Sequence, residues 1–245
     1  MPLDFNGTDQ VGDMGRSIGS FRNISEFSIS AWVRSRTTLG DRDVGGLSTG
    51  NAGGVPNGRA RASIEMKNNA MLNYAVRAND AEGDPNASGP ETATGAFTAD
   101  EKFFYVGRVN LLIPTGDIFK NAVNITSLFD DELTANVTSN TESDSGSIGG
   151  NTDFLDTFWD GTIEDMRLYS RWLTDDEILS MYTLKGNDGI VLNLEQAYRL
   201  NEYAPGVLST FLTSLKDAAN QQRNATPLNS PVYAEGVLYH RRRMP

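Results

Sequence analysis

Apolar and polar side chains alternate along several short stretches of the first 184 residues. The clearest stretch is residues 27–33, Phe-Ser-Ile-Ser-Ala-Trp-Val, in which every second side chain is apolar. A period of two is typical of a β-strand with one buried face. Residues 62–66 and 71–76 carry similar runs on either side of a polar link, which predicts a hairpin. Stretches rich in Gly, Asn and Ser separate the runs, so the pattern predicts an all-β, two-sheet antiparallel sandwich.

Two helices are predicted nearer the C-terminal end. Thr174 and Glu177 have the spacing of a capping box, in which the two side chains bond early backbone N–H groups of a helix. Gly186 is suited to end that helix, because glycine readily adopts the left-handed conformation found there. Apolar residues at three- and four-residue spacing predict a second helix over 205–222, with Pro205 at its start.

Residues 223–245 have little periodicity and end in three consecutive arginines at 241–243. We therefore divide the chain into a sandwich over 1–184 and a C-terminal helix with an extended arm over 185–245. Terminal segments are held only where something binds them, so we expect the arm to lie on a partner, on another copy or on its own sandwich. Removal of residues 186–245 is expected to leave a folded sandwich.

Composition excludes several chemistries. The 245 residues contain no Cys and one His, His240, so disulfides, thiol nucleophiles, zinc–thiolate sites and His clusters are not expected. The formal charge of −11 disfavours nucleic acid as a partner, because phosphate binding needs a basic face. No run approaches the length of a membrane-spanning helix. The N-terminus lacks the pattern of a signal peptide, which favours a cytoplasmic protein or release by another route.

Four segments form a specific combination. Residues 3–11 read L-D-F-N-G-T-D-Q-V and precede the strand at 27–33, residues 118–121 read I-F-K-N, and residues 159–171 read W-D-G-T-I-E-D-M-R-L-Y-S-R before the capped helix. In this order they resemble the laminin-G-like, concanavalin-A-like jelly-roll superfamily. Its members open with an L-x-F-x-G strand and close with F-x-G-x-I-D-x-V-R-I-Y-x-R-x-L. The resemblance implies a jelly roll over about residues 3–184 and leaves the tail unexplained.

The resemblance leaves the function open, because this fold is found in enzymes, lectins, adhesion modules and inert domains. Hydrolases of the fold place paired carboxylates on one strand face, as in E-x-D-x-x-E, since one acid donates a proton while another attacks or activates water. That motif is absent, and the acidic clusters at 130–132 and 175–177 fall in a predicted loop and a helix cap. We therefore predict no catalytic residues and keep a glycoside hydrolase only as a second alternative.

Calcium is the cofactor that the resemblance suggests. Many superfamily members hold a structural ion between the first strand and the Asp of the closing strand. The corresponding residue here is Glu164, and Asn6 and Gly7 are the nearest candidates on the first strand. Calcium accepts oxygen ligands in flexible geometry, so a Glu is compatible with the site. The alternative is that Glu164 is an exposed residue of an edge strand.

Aromatic residues are the candidates for carbohydrate contact. Trp159 and Trp172 could form a platform, although both lie in the closing motif, where a core position is expected. Trp32 is expected to be buried, with one N–H that needs an acceptor. Arg167 and Tyr169 are interpreted as structural, with the arginine paired to a carboxylate and the tyrosine hydroxyl in water.

Two functions remain open. The first is a non-catalytic structural protein of a virus particle, similar to bacteriophage proteins that need no signal peptide. Its jelly roll would be displayed on a capsid or tail, and its arm would bind major capsid or tail proteins or further copies of the chain. Host surface glycans are an additional partner in this hypothesis. The second is an extracellular or cell-surface adhesion module that binds carbohydrate or protein. We expect the first, with the virion as its location.

Overall fold

In the computed structural model, the described residues are 2–49, 59–76, 89–130, 136–138, 143–150, 157–185, 187–200 and 225–234. They form two packed antiparallel β-sheets and one helix, α1 (Asp175–Leu184). The strands are β1 (Leu3–Asn6), β2 (Val11–Ile18), β3 (Glu26–Ser35), β4 (Arg42–Thr49), β5 (Arg59–Lys67), β6 (Met71–Val76), β7 (Gly89–Thr92), β8 (Lys102–Asn110), β9 (Thr115–Lys120), β10 (Val123–Asn124), β11 (Thr126–Asp130), β12 (Ser143–Ile148), β13 (Asp160–Tyr169), β14 (Leu194–Tyr198), β15 (Thr226–Leu228) and β16 (Val232–Tyr233).

The strands divide between two eight-stranded sheets. Sheet A has the order β10–β9–β8–β3–β13–β1–β16, and β14 also pairs with β13. Sheet B has the order β11–β7–β6–β5–β4–β12–β2–β15. Neighbours in each sheet are mostly distant in sequence, as in a jelly roll. The predicted fold class, an all-β two-sheet antiparallel sandwich, is confirmed.

The core lies between the two sheets and follows the alternation read from the sequence. On β3, the side chains of Phe27, Ile29, Ala31 and Val33 are buried in this core. Successive side chains of a strand point to opposite faces, so Trp32 lies on the outer face of sheet A. A second, smaller apolar cluster forms on that outer face, and Trp32 belongs to it.

Helix α1 covers part of the outer face of sheet A. Its predicted capping box is present: the backbone N–H of Glu177 donates to Thr174 Oγ1 at 3.3 Å, and the backbone N–H of Thr174 donates to Glu177 Oε2 at 2.9 Å. Ile178 and Met181 are buried in the outer apolar cluster. The helix ends at Lys185, whose φ is 48°, and the predicted terminator at 186 lies outside the described residues.

The described part of residues 185–245 belongs to the sandwich itself. Strand β14 extends sheet A beside β13, β15 is the outermost strand of sheet B, and β16 is the outermost strand of sheet A on the same side. The division at residue 184 therefore does not mark a structural boundary. The predicted helix at 205–222, His240 and the arginines at 241–243 lie outside the described residues.

The helix of the described ranges is too short to cross a membrane, and none of those ranges holds a candidate spanning helix. This finding agrees with the sequence, in which no apolar run has the required length.

Candidate functional site

A row of three side chains crosses the outer face of sheet A. The strand register sets Trp32 of β3 directly opposite Phe104 of β8 on one side and Glu164 of β13 on the other. Directly opposed residues of antiparallel strands share a face and lie about 4.5–5.5 Å apart. Trp32 and Glu164 are therefore neighbours, although 132 positions separate them in the sequence.

A small pocket opens beside this row, and we call it the Glu164 pocket. Its enclosed volume is about 10 Å³, which is room for roughly one water molecule or one hydroxyl group, and it is open to solvent on one side. The lining residues come from β3, β8 and β13 and from the residue before β1: Pro2, Trp32, Val33, Lys102, Thr162 and Glu164. Thr162 and Glu164 are almost fully buried, whereas Lys102 is exposed at the mouth.

Trp32 is the aromatic residue of this pocket. Both ring contacts are aromatic: Phe104 lies 5.2 Å from the indole centroid, and Tyr182 of α1 stacks on it at 5.6 Å with an interplanar angle of 18°. The side chain is 6% exposed, and its Nε1–H has no hydrogen-bond acceptor in the described structure. A buried N–H in that state costs roughly 1–3 kcal/mol. A hydroxyl could accept this hydrogen bond and remove the cost only if the wall opened around the N–H, because the atom has almost no exposed surface.

Glu164 supplies a carboxylate to the lining of the pocket and is 2% exposed. A β-bulge follows it, because the β3–β13 register shifts between Glu164 and Arg167 and Asp165 has a φ of 51°. Glu164 is therefore deeply buried on the sheet, and not exposed on an edge strand. The bulge also brings Asp165 next to Arg167.

Arg167 forms a separate ion-pair network. Its guanidinium donates to both carboxylate oxygens of Asp165, at 3.0 and 2.7 Å, and to Asp188 Oδ1 at 2.8 Å. Burial by itself lowers the pKa of Arg167, but the charge of Asp165, the neighbouring Tyr169 and the hydrogen bonds to Asp165 and Asp188 together outweigh it, and the pKa is raised. The interpretation of Arg167 as a structural residue paired to a carboxylate agrees with these contacts.

Tyr169 differs from its predicted position. Its hydroxyl is not in water: it donates to the Ile190 carbonyl at 3.1 Å and accepts from Arg167, and the side chain is fully buried. Burial raises the pKa of Tyr169 to about 12. The residues after α1 fold back over this part of sheet A, which the local strand pattern does not reveal.

The three predicted calcium ligands do not meet. Asn6 pairs with Asp160, which precedes Glu164 by four residues, or about 13 Å along β13. The Asn6 side chain is also engaged, since its Oδ1 accepts from the backbone of Thr8 and its Nδ2 donates to Asp9. The described ranges contain no cluster of three or more His, Cys, Asp or Glu residues that fits a metal ion.

Gly7 has a structural role in this part of the sheet. Its φ is +72°, and its N–H donates to the Trp159 carbonyl at 3.0 Å. A Cβ atom here would lie 2.7 Å from the Cβ of Asp160, which is closer than packing allows. Glycine is therefore required for the tight turn after β1, and its carbonyl accepts from Arg42. Asn6, Gly7 and Glu164 do not form one calcium site.

Trp159 and Trp172 do not form an open platform. Trp159 is fully buried in the main core. Trp172 is partly exposed, but the Arg108 guanidinium lies 4.2 Å from its ring centroid. Arg108 is in turn bound to Asp117 at 2.6 Å and Asp175 at 2.7 Å, so this stack joins α1 to sheet A. The expected core position is correct for Trp159.

Acidic residues also occur on the outer face of sheet B. Asp43, Glu65 and Glu91 lie on the neighbouring strands β4, β5 and β7, with Asn73 of β6 between the last two. Glu65 is buried, and its carboxylate bonds Ser63 and forms an ion pair with Lys67 at 2.8 Å. The contacts of Glu65 are those of a residue that stabilises the sheet.

The sequence interpretation missed Pro2, Lys102 and Thr162 as residues of the pocket. Pro2 precedes β1 and Lys102 begins β8, whereas Thr162 lies inside the closing motif at 159–171 but was not singled out there. Their proximity arises from the β1–β13–β3–β8 register, which a single sequence does not encode locally.

Comparison with known proteins supports the architecture. Residues 6–179 match the model of a family described as Laminin_G_3, concanavalin A-like lectin/glucanases superfamily. No curated protein sequence matches the chain.

Several solved structures share the fold. A candidate carbohydrate binding protein from Bacteroides ovatus has a TM-score of 0.60 at 12% identity, over 96% of this chain and 60% of its own length. The carbohydrate-binding module CBM40 of the Ruminococcus gnavus IT-sialidase, bound to α2,3-sialyllactose, has a TM-score of 0.53 at 16% identity. The match covers 74% of this chain and 97% of the module. A heptameric SAP-like pentraxin from Limulus polyphemus has a TM-score of 0.52 at 11% identity, and the match covers 78% of this chain and 87% of the pentraxin chain. At these identities the likeness shows the shared fold alone.

Proposed function

Because the chain belongs to the concanavalin A-like lectin/glucanases superfamily, we propose that it is a non-catalytic carbohydrate-binding module. Two of the structural neighbours are described as carbohydrate-binding, one as a candidate and one with a bound sialylated sugar. Fold likeness alone does not determine function. The proposal therefore rests on the Glu164 pocket.

The pocket offers complementary partners for sugar hydroxyls. A hydroxyl both donates and accepts hydrogen bonds. The Trp32 N–H and the Lys102 ammonium are donors, the Glu164 carboxylate is an acceptor, and the Thr162 hydroxyl is both. The single observation that carries the proposal is the buried Trp32 N–H, which has no acceptor within the described residues and lies in the wall beside a buried carboxylate.

The rings of Phe104 and Tyr182 limit how a sugar can bind. Tyr182 stacks on one face of the indole and Trp32 is only 6% exposed, so almost none of the ring is open for a sugar to stack on. Recognition would therefore depend on hydrogen bonds, with weak affinity and strong dependence on hydroxyl orientation.

The proposal excludes hydrolysis on the basis of the pocket's composition. Glycoside hydrolysis normally requires two carboxyl groups that flank the bond. Glu164 is the one acid among the six lining residues. A single carboxylate can bind and orient a sugar but cannot serve as both acid and nucleophile.

The virion hypothesis remains a prediction. It needs the C-terminal arm to bind capsid or tail proteins, but the described segments of that arm complete the chain's own sheets. Binding of host glycans by a virion protein, and placement of the module outside a cell, both agree with the pocket. No contact among the described residues favours the virion over the outside of a cell as the location of the module.

The test is a glycan array followed by calorimetric titration of the best ligand. Glu164→Gln should weaken binding about tenfold or more, because a charge-assisted hydrogen bond contributes about 1.5–3 kcal/mol. Trp32→Phe should weaken it about fivefold, since the ring remains and one N–H is lost. Unchanged affinity in both variants would contradict the proposal.

Matched controls are available in the same sheet. Glu26→Gln changes the far end of β3, where Glu26 bonds Asn110, and Trp172→Phe alters a tryptophan outside the pocket. Both should bind the glycan with the wild-type affinity. Circular dichroism of every variant checks that the sandwich is folded.

A further inference from the structure

Residues 225–234 form a strap across one open side of the sandwich. Its first half, β15, pairs with β2 of sheet B through Thr226–Asp13 and Leu228–Val11. Its second half, β16, pairs with β1 of sheet A through Val232–Asp4 and Tyr233–Leu3. The strap therefore joins the edges of both sheets.

The strap is held by burial and by side-chain hydrogen bonds. Ala225 and Tyr233 are part of the main core. At the bend between its two halves, Asn229 Nδ2 donates to the Asp9 carbonyl at 2.7 Å. Gln10 Nε2 donates to the Asn229 carbonyl at 3.0 Å. The bend is thus fixed to the turn between β1 and β2.

The end of the strap reaches the Glu164 pocket. The backbone N–H of Ala234 donates to the Pro2 carbonyl at 2.9 Å. Pro2 is buried and lines the pocket. Leu3 pairs with Ile163, so continuation of the register by one residue sets Pro2 beside Glu164. One wall of the pocket is therefore fixed to the strap by a direct hydrogen bond.

We infer that residues 232–234 are positioning residues of the pocket, which couple docking of the strap to ligand binding. This inference rests on the proposed function. The pairing of β16 with β1 and the Ala234–Pro2 hydrogen bond hold Pro2 in the wall of the pocket from the side opposite β13, so undocking of the strap should loosen that wall. Coupling is reciprocal, and a sugar bound in the pocket must stabilise the docked strap to the same extent.

Ala234→Pro tests the coupling because proline has no N–H to donate to the Pro2 carbonyl. Its affinity for the glycan found in the array should fall about fivefold, the equivalent of one net hydrogen bond. Asn229→Ala is the matched control, since it removes the bond to the Asp9 carbonyl at the bend of the strap, away from the pocket. It should lower thermal stability and leave the affinity unchanged.

A second readout needs no ligand. Loss of the Pro2 wall should raise the acrylamide quenching of Trp32 fluorescence in Ala234→Pro, but not in Asn229→Ala. In a Trp32→Phe background the difference should vanish, which assigns the signal to the pocket. Wild-type quenching in Ala234→Pro would overturn the inference, whether or not a glycan binds.

Hydrogen exchange measures the reciprocal effect in the unmodified chain. Saturation with the glycan should slow amide exchange in residues 225–234, as measured by mass spectrometry. One outcome would overturn the coupling while the proposed function stands. In it, the binding of the glycan requires Glu164, but the glycan does not slow this exchange and binds the Ala234→Pro variant with wild-type affinity. Glycan binding that is unchanged in Glu164→Gln would instead refute the proposed function. In that case the quenching result would still decide the role of the strap.

Discussion

At the scale of single residues, the chain retains several buried polar groups that its fold does not satisfy. Trp32 Nε1 is one, and Gln196 is another, with no partner for either Nε2 or Oε1 within the described residues. Trp32 lines the Glu164 pocket, and Gln196 is not among the lining residues of that pocket. A ligand can satisfy the first group, whereas the second is a cost to stability.

Replacement of Gln196 by Met should therefore stabilise the protein. The side chain is fully buried and lies opposite Leu168 in the β13–β14 pair. Removal of an unsatisfied buried amide should raise the free energy of unfolding by about 1–3 kcal/mol, as measured by chemical denaturation. Gln10→Met, which removes an amide that bonds the Asn229 carbonyl, should give no gain. A less stable Gln196→Met variant would show that the amide has a partner.

Removal of divalent ions should leave the sandwich unchanged. Asn6 and Gly7 lie about 13 Å from Glu164 along the sheet, so the proposed ligands cannot share an ion. A bound ion would stabilise the native state by mass action. We expect the melting temperature in excess EDTA to equal that in calcium-containing buffer. A drop of several degrees would reveal an ion held by other residues.

At the scale of elements, the patterns that could be predicted were local. The alternation of β3 and the capping box of α1 depend on residues close in sequence, and both are confirmed. The register that places Trp32 opposite Glu164 depends on pairing between distant strands. The bulge at Asp165 then changes which residues of β13 share a face. For this reason Glu164 was found from a motif, but its neighbours were not.

The cap of α1 should give the protein a measurable pH dependence. Hydrogen bonds from Arg171 lower the pKa of Glu177 to about 2, from an ordinary value of 4.5. A lowered pKa means that the stabilisation is complete above about pH 4.5 and is lost as the pH falls through 2. Glu177→Gln should therefore lower the melting temperature at pH 7, and the gap from wild type should close near pH 2. A gap that is independent of pH would contradict this assignment.

At the scale of the whole molecule, the described part of the tail lies on its own sandwich, which is one of the three positions that the sequence left open, and adds a strand to each sheet. Pro227 and Pro231 interrupt its sequence, and β15 and β16 have three and two residues. Strands of this length are too short to show an alternation of apolar and polar residues. They can be recognised only when the free edges of β1 and β2, with which they pair, are known. The tail's contribution to the core, through Ala225 and Tyr233, follows from that pairing.

Truncation after residue 224 should consequently destabilise the protein. It removes the outermost strand of each sheet on one side and opens the core at Tyr233. Loss of a buried aromatic side chain alone costs about 3–5 kcal/mol, so we expect the melting temperature to fall by ~10 °C or more. Tyr233→Ala should reproduce part of the effect. A truncated protein as stable as the full chain would show that the strap contributes little.

The central claim is that a carbohydrate binds at the edge of Trp32 in the Glu164 pocket. The chain contains three tryptophans, so its ¹H–¹⁵N spectrum should show three indole signals, and Trp32→Phe identifies the one in the pocket. Titration with the glycan selected on the array should shift the Trp32 indole signal and leave those of Trp159 and Trp172 in place. Saturation of the protein with glycan while the Trp32 signal stays unmoved would contradict the claim.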